Sequence, residues 1–101
     1  MIYEEIVHAL QEAFTPEELR VTDESSWHNV PPGTQSHFRV LLVAPRFAQH
    51  PLLERHRLVY DVLKSVQQQI HALALELYSP EEWRQRGKVA AASPPCRGGS
   101  K

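Results

Sequence analysis

Apolar residues recur every fourth position at the start of the chain: Ile2, Ile6, Leu10 and Phe14, with Ala9 and Ala13 alongside. That spacing marks one face of a helix, and it predicts an amphipathic helix over 2–14 with Glu4, Glu5, Gln11 and Glu12 outward. Thr15-Pro16-Glu17-Glu18 has the form of a capping box with proline at the first helical position, and reads as a single turn. The period then changes from four to two. Leu19 and Val21 alternate with Arg20 and Thr22, which predicts a short strand over 19–24 with one buried face. Residues 23–36 show no period, contain Pro31-Pro32-Gly33, and read as a loop that holds Trp27 and His28.

The densest apolar block follows. A strand is predicted over 37–44, with Phe38, Val40, Leu42 and Ala44 on one face and His37, Arg39, Leu41 and Val43 on the other. The second face is polar first and apolar later, as for a strand running into a covered region. Pro45 ends it. After a turn over 46–50, Pro51 opens a long helix whose stripe is Leu52, Val59, Val62, Leu63, Val66 and Ile70. Its opposite face carries Glu54, Arg57, Asp61, Lys64 and Gln68. A third strand over 71–78 sets His71, Leu73, Leu75 and Leu77 against Ala72, Ala74, Glu76 and Tyr78, with the alanines small enough to lie beneath a helix. Ser79-Pro80-Glu81-Glu82 is a second capping box and opens a short helix carrying Trp83.

The order is therefore α-β-β-α-β-α. A three-stranded mixed sheet with helices on one face buries both apolar sets, an α+β domain. The long helix between strands two and three is a crossover, which allows a parallel pair. Periodicity fails after Gly87, so the expected boundary divides a domain at 1–86 from a flexible tail at 87–101.

Composition narrows the function classes. A chain of 101 residues has room for one modest core. One cysteine, Cys96, excludes an internal disulfide and any all-cysteine metal site built by this chain alone. No apolar run approaches the roughly 20 residues that span a bilayer. Glu4 and Glu5 at the start do not suit a leader sequence, so a cytoplasmic protein is expected. Up to residue 35 there are seven acids and one base, and beyond it ten bases and five acids, a separation that can create a basic face.

No phosphate-cradling glycine loop, nucleophile elbow or carboxylate pair is present, and no enzyme is expected. Among six histidines, His8, His37 and His56 read as structural or solvated. His28, in the loop, and His71, opening a strand, stand apart as candidate ligands for iron, zinc or copper. Two imidazoles cannot close a four-coordinate site, so the remaining ligands would come from a partner. Arg55 and Arg57 lie near a helix start, where cations oppose the helix dipole, and are candidates for a role beyond helix stability.

The segments HFRVLLVAPRF, LLERHRLVYDVL and IHALAL, with SPEEW, ASPPCRGG and the loop DESSWHNVPPG, resemble the BolA family over residues 1 to about 100. The resemblance implies a compact fold similar to the type II KH domain. It also implies a monothiol glutaredoxin as partner, a monomer alone that forms a heterodimer with it, and a 2Fe-2S cluster shared between them. His28 and His71 match the family's ligand positions; a glutaredoxin cysteine and a glutathione thiolate would supply the rest. His37 and Cys96 stay open as alternative ligands. A second implied activity is DNA binding in transcriptional regulation of cell shape and stress response, with Arg46, Arg55 and Arg57 as phosphate partners. The segment departs from the family's F-x-G pattern, because Phe47-Ala48 is followed by Gln49. A glycine loop of the kind KH domains lay against phosphate is also absent.

Overall fold

The computed structural model of the chain describes residues 2–24 and 37–91. The candidate ligand His28, most of the expected loop, Cys96 and the tail from residue 92 lie outside these residues. The elements are α1 (Ile2–Phe14), β1 (Glu18–Asp23), β2 (His37–Val43), a 3-10 turn (Pro45–Gln49), α2 (Leu52–Val62), α3 (Lys64–Gln67), β3 (Ala72–Tyr78) and α4 (Pro80–Gln85). The sheet order is β1-β2-β3. β1 runs antiparallel to β2 with Leu19 opposite Leu42, and β3 runs parallel to β2 with Leu75 opposite Val40. The crossover from β2 to β3 through α2 thus gives the mixed α+β sheet the hydrophobic pattern implies.

The main core lies on one face of this sheet. Ile6, Leu10 and Phe14 of α1 and Val59, Leu63 and Val66 of the crossover pack with Phe38, Val40, Leu42 and Leu77. Leu19, Val21, Leu73 and Leu75 complete the same layer. The leucines of β3 therefore lie beneath the long helices, and the alanines face the other way. That other face has its own smaller cluster, in which Trp83 of α4 covers Leu41 and Val43 with Tyr78 and Ala90 beside them. The helices are thus divided between two faces rather than confined to one, because β2 is apolar on both faces in its second half.

Three local readings change. Thr15-Pro16-Glu17-Glu18 forms no capped helical turn. Thr15 takes φ 45° and its N–H donates to Gln11 O, ending α1. Glu17 N–H already donates to Val43 O, so the chain enters the sheet directly. The long crossover helix breaks at Leu63 (φ −97°, ψ 19°), while Leu63 and Val66 both stay in the core across the break. At its start the stripe is rotated: Leu52 is 58% exposed and Arg55 takes the inward position.

The second capping box is present in full. Ser79 Oγ accepts from Glu82 N–H, and the Glu82 carboxylate accepts from Ser79 N–H. Gly87 (φ 69°) ends α4, with its N–H bonded to Arg84 O and that of Lys88 to Trp83 O. This is the paired closure for which glycine is favoured. Residues beyond Gly87 do not leave the domain at once. Ala90 packs on the Trp83 cluster, and Ala91 N–H donates to Glu76 Oε2 at 2.8 Å.

Candidate functional site

The parallel pairing of β2 and β3 brings two histidines together. His37 opens β2 opposite Ala72, the residue that follows His71. Their rings lie 5.3 Å apart between centroids and are tilted by 43°. His71 is exposed and His37 half-buried. The start of β2 is fixed by Glu24, whose N–H donates to His37 O at 2.7 Å. Among the described residues no group of three histidine, cysteine or acidic side chains could hold a metal ion. The pair offers imidazole nitrogen, a donor suited to iron and found in mixed histidine and thiolate clusters, but other ligands must complete a site.

The sequence pattern alone leaves His37 with the ordinary histidines. The signal that identifies it is the register of the parallel pair, which an α-β crossover allows but does not number.

The three candidate arginines are not alike. Arg46 is exposed in the 3-10 turn, with its guanidinium 5.3 Å from the Phe14 ring centroid. Arg57 is exposed on α2, flanked by Glu54 and Asp61, which weaken its local field. Glu54 in turn binds His50 Nδ1 at 2.9 Å. Arg55 is buried, and its donors are engaged inside the protein. Its Nε donates to His50 O at 2.8 Å and its Nη1 to Leu77 O at 3.2 Å. Both terminal nitrogens grip the Glu82 carboxylate, at 2.6 and 3.0 Å. The guanidinium also lies 5.8 Å from the Phe47 ring centroid.

This two-point pairing is the strongest geometry available to a carboxylate. The hydrogen bond from Arg55, aided by the Ser79 backbone N–H and opposed by burial, lowers the Glu82 pKa to about 2. Arg55 thus joins α2, β3 and α4, and it does not sit with Arg46 and Arg57 on one exposed basic surface. Its proximity to Arg57 in sequence conceals a rotation of 200° around the helix, about 100° per residue.

The outer face of the sheet carries a second polar group. Arg39 lies 3.4 Å from Glu76, and Glu76 also accepts from the Tyr78 hydroxyl at 3.1 Å. Burial first, then the Glu76 hydrogen bond, raises the Tyr78 pKa, so the phenol stays protonated and donating. Together these contacts anchor the back of β3.

A BolA-like protein family model matches residues 10–82. The chain belongs to the BolA-like family. It is 48% identical over 99 residues to the DNA-binding transcriptional regulator BolA of Escherichia coli, covering 97% of this chain and 94% of the relative. It is 44% identical over 93 residues to human BolA-like protein 1, covering 91% and 67%. Among solved structures, mouse BolA1 superimposes with a TM-score of 0.80 at 38% identity, over 94% of this chain and 77% of the mouse chain. The BolA fold thus accounts for the mixed sheet and the placement of both helix layers. No described helix is long and apolar enough to cross a membrane.

Proposed function

We propose that this BolA-like chain is a binding protein that partners a monothiol glutaredoxin and shares a 2Fe-2S cluster with it. The observation that carries the reading is the pair His37–His71 at the open end of the sheet, 5.3 Å between ring centroids. His71 is one ligand and His28 the other, with a glutaredoxin cysteine and a glutathione thiolate on the partner's side. His28 follows Glu24 by four residues in sequence, and Glu24 N–H donates to His37 O.

The test mixes the chain with a monothiol glutaredoxin, iron, sulfide and glutathione. A 1:1 complex with visible absorption and circular dichroism distinct from those of glutaredoxin alone is expected. His71→Ala should abolish the difference; an unchanged spectrum in that variant removes His71 from the ligand set. His37→Ala, compared with His28→Ala, asks which imidazole completes the site.

A second reading, DNA binding, is favoured by the name of the Escherichia coli relative and by the exposed guanidinia of Arg46 and Arg57. Phosphate contacts from these two residues would make binding weaken with salt, and Arg46→Ala with Arg57→Ala would reduce the slope by about two. An unchanged slope places the contact elsewhere.

A further inference from the structure

Helix α2 is turned outside in at its first turn. Leu52 and Leu53 are 58% and 64% exposed, whereas Arg55 is buried. Helices in globular proteins ordinarily distribute these residue types the other way. Leu52 also does not stand alone on the surface. With Pro51 and Leu77 it lines an open groove of about 530 Å³, which Tyr78 and Arg86 close on the other side. The Arg55–Glu82 pair lies in the same groove.

That ion pair fixes both walls, since it joins α2 to the capping box of α4. The groove is thus formed before any partner arrives. Its charge is set by position. Arg55 is neutralised by Glu82, whereas Arg86 lies at the mouth, exposed and 5.0 Å from the Tyr78 ring centroid. Its Nε donates to Val89 O at 3.1 Å, which restrains the guanidinium.

We propose that this groove docks a segment of a partner protein that carries a large apolar side chain next to a carboxylate. The apolar side chain covers Leu52 and Tyr78, and the carboxylate meets Arg86. Apolar lining with a restrained, unneutralised cation at the rim suits that chemistry, whereas a phosphate backbone gains nothing from the exposed Leu52. The groove lies at the C-terminal ends of β2 and β3, away from His37 and His71 at their start. The inference therefore stands or falls independently of the cluster reading.

The experiment titrates the isotope-labelled full chain with two capped tetrapeptides, acetyl-Glu-Leu-Phe-Glu-amide and acetyl-Lys-Leu-Phe-Lys-amide, following backbone amides by NMR. The acidic peptide should give saturable shifts at Leu52, Leu53, Tyr78 and Arg86, and the basic peptide much smaller ones. Leu52→Ser and Arg86→Glu should each weaken the acidic peptide at least tenfold, with Arg86→Gln intermediate, while far-ultraviolet circular dichroism matches the parent. The proposal is overturned by an absence of saturable shifts at these amides or by equal responses to the two peptides. It is equally overturned if the same amides shift with protein concentration alone, which would assign the face to a second copy of the chain.

Discussion

The parallel pair of β2 and β3 has two ends, and they are built on opposite terms. At the C-terminal end three polar side chains have fixed internal uses: Ser79 and Glu82 close a capping box, and Arg55 binds Glu82 and two carbonyls. Phe47 and Trp83 are buried beside them. At the N-terminal end β3 begins exposed, and His71 meets His37 at the surface. One end holds helices to the sheet, and the other presents donor atoms. Arg55 and His71 are both polar side chains near strand ends, but Arg55 is buried and internally bonded whereas His71 is exposed.

The largest effect should come from the tied end. Arg55→Ala removes the guanidinium from Leu77 O and His50 O and leaves the Glu82 carboxylate only its capping-box donor, and should cost about 2–4 kcal/mol in urea unfolding. Arg57→Ala, two residues on but exposed, should stay within about 0.5 kcal/mol. Equal effects would erase the distinction between these arginines. Acid should act on the same tie. Glu82 has its pKa lowered from 4.5 to about 2, chiefly by Arg55. A lowered carboxyl pKa adds stability that is complete above the ordinary value and is lost as pH falls from about 4.5 towards 2. Glu82 is nearly half exposed, so solvent screening reduces the contribution to about 1 kcal/mol. Stability measured across that window should decline in the parent protein, and Glu82→Gln should flatten this part of the curve.

Much of this fold is legible in the sequence because periods of four and two map directly onto buried faces. The helix over 2–14, the two-faced second strand and the Ser79 capping box all follow from residue types at fixed offsets. What the pattern conceals is rotation and register. Arg55 occupies an inward position because Glu82, 27 residues later, receives it. No local signal in a helix announces such a distant partner. His37 joins His71 through parallel pairing, a relation that alternation within each strand leaves unspecified. Thr15 is a third case: a proline and two glutamates imitate a helix start, yet Glu17 N–H is claimed by Val43 O across the sheet.

That claim yields a smaller prediction at the same tied end. Thr15 is β-branched and held at φ 45°, a conformation in which a side chain on Cβ is strained. Thr15→Gly removes the strain but gives the unfolded chain more freedom, so a net gain of about 0.5 kcal/mol is expected. A loss of stability would mean that the threonine side chain contributes more than its backbone costs.

The smallest effect belongs to the open end. His71 is exposed and precedes the strand, so His71→Ala removes little buried area and should change unfolding free energy by less than about 0.5 kcal/mol. The same substitution should abolish the spectral change produced with glutaredoxin, iron, sulfide and glutathione. The two readouts separate a ligand from a structural residue: a side chain that mattered only for packing would lower both together. Arg55→Ala provides the reverse case, a large loss of stability with the donor end of the sheet left in place. If His71→Ala instead destabilised the chain as strongly as Arg55→Ala, both ends would be doing the same work, and the open end would lose its claim to be reserved for a metal.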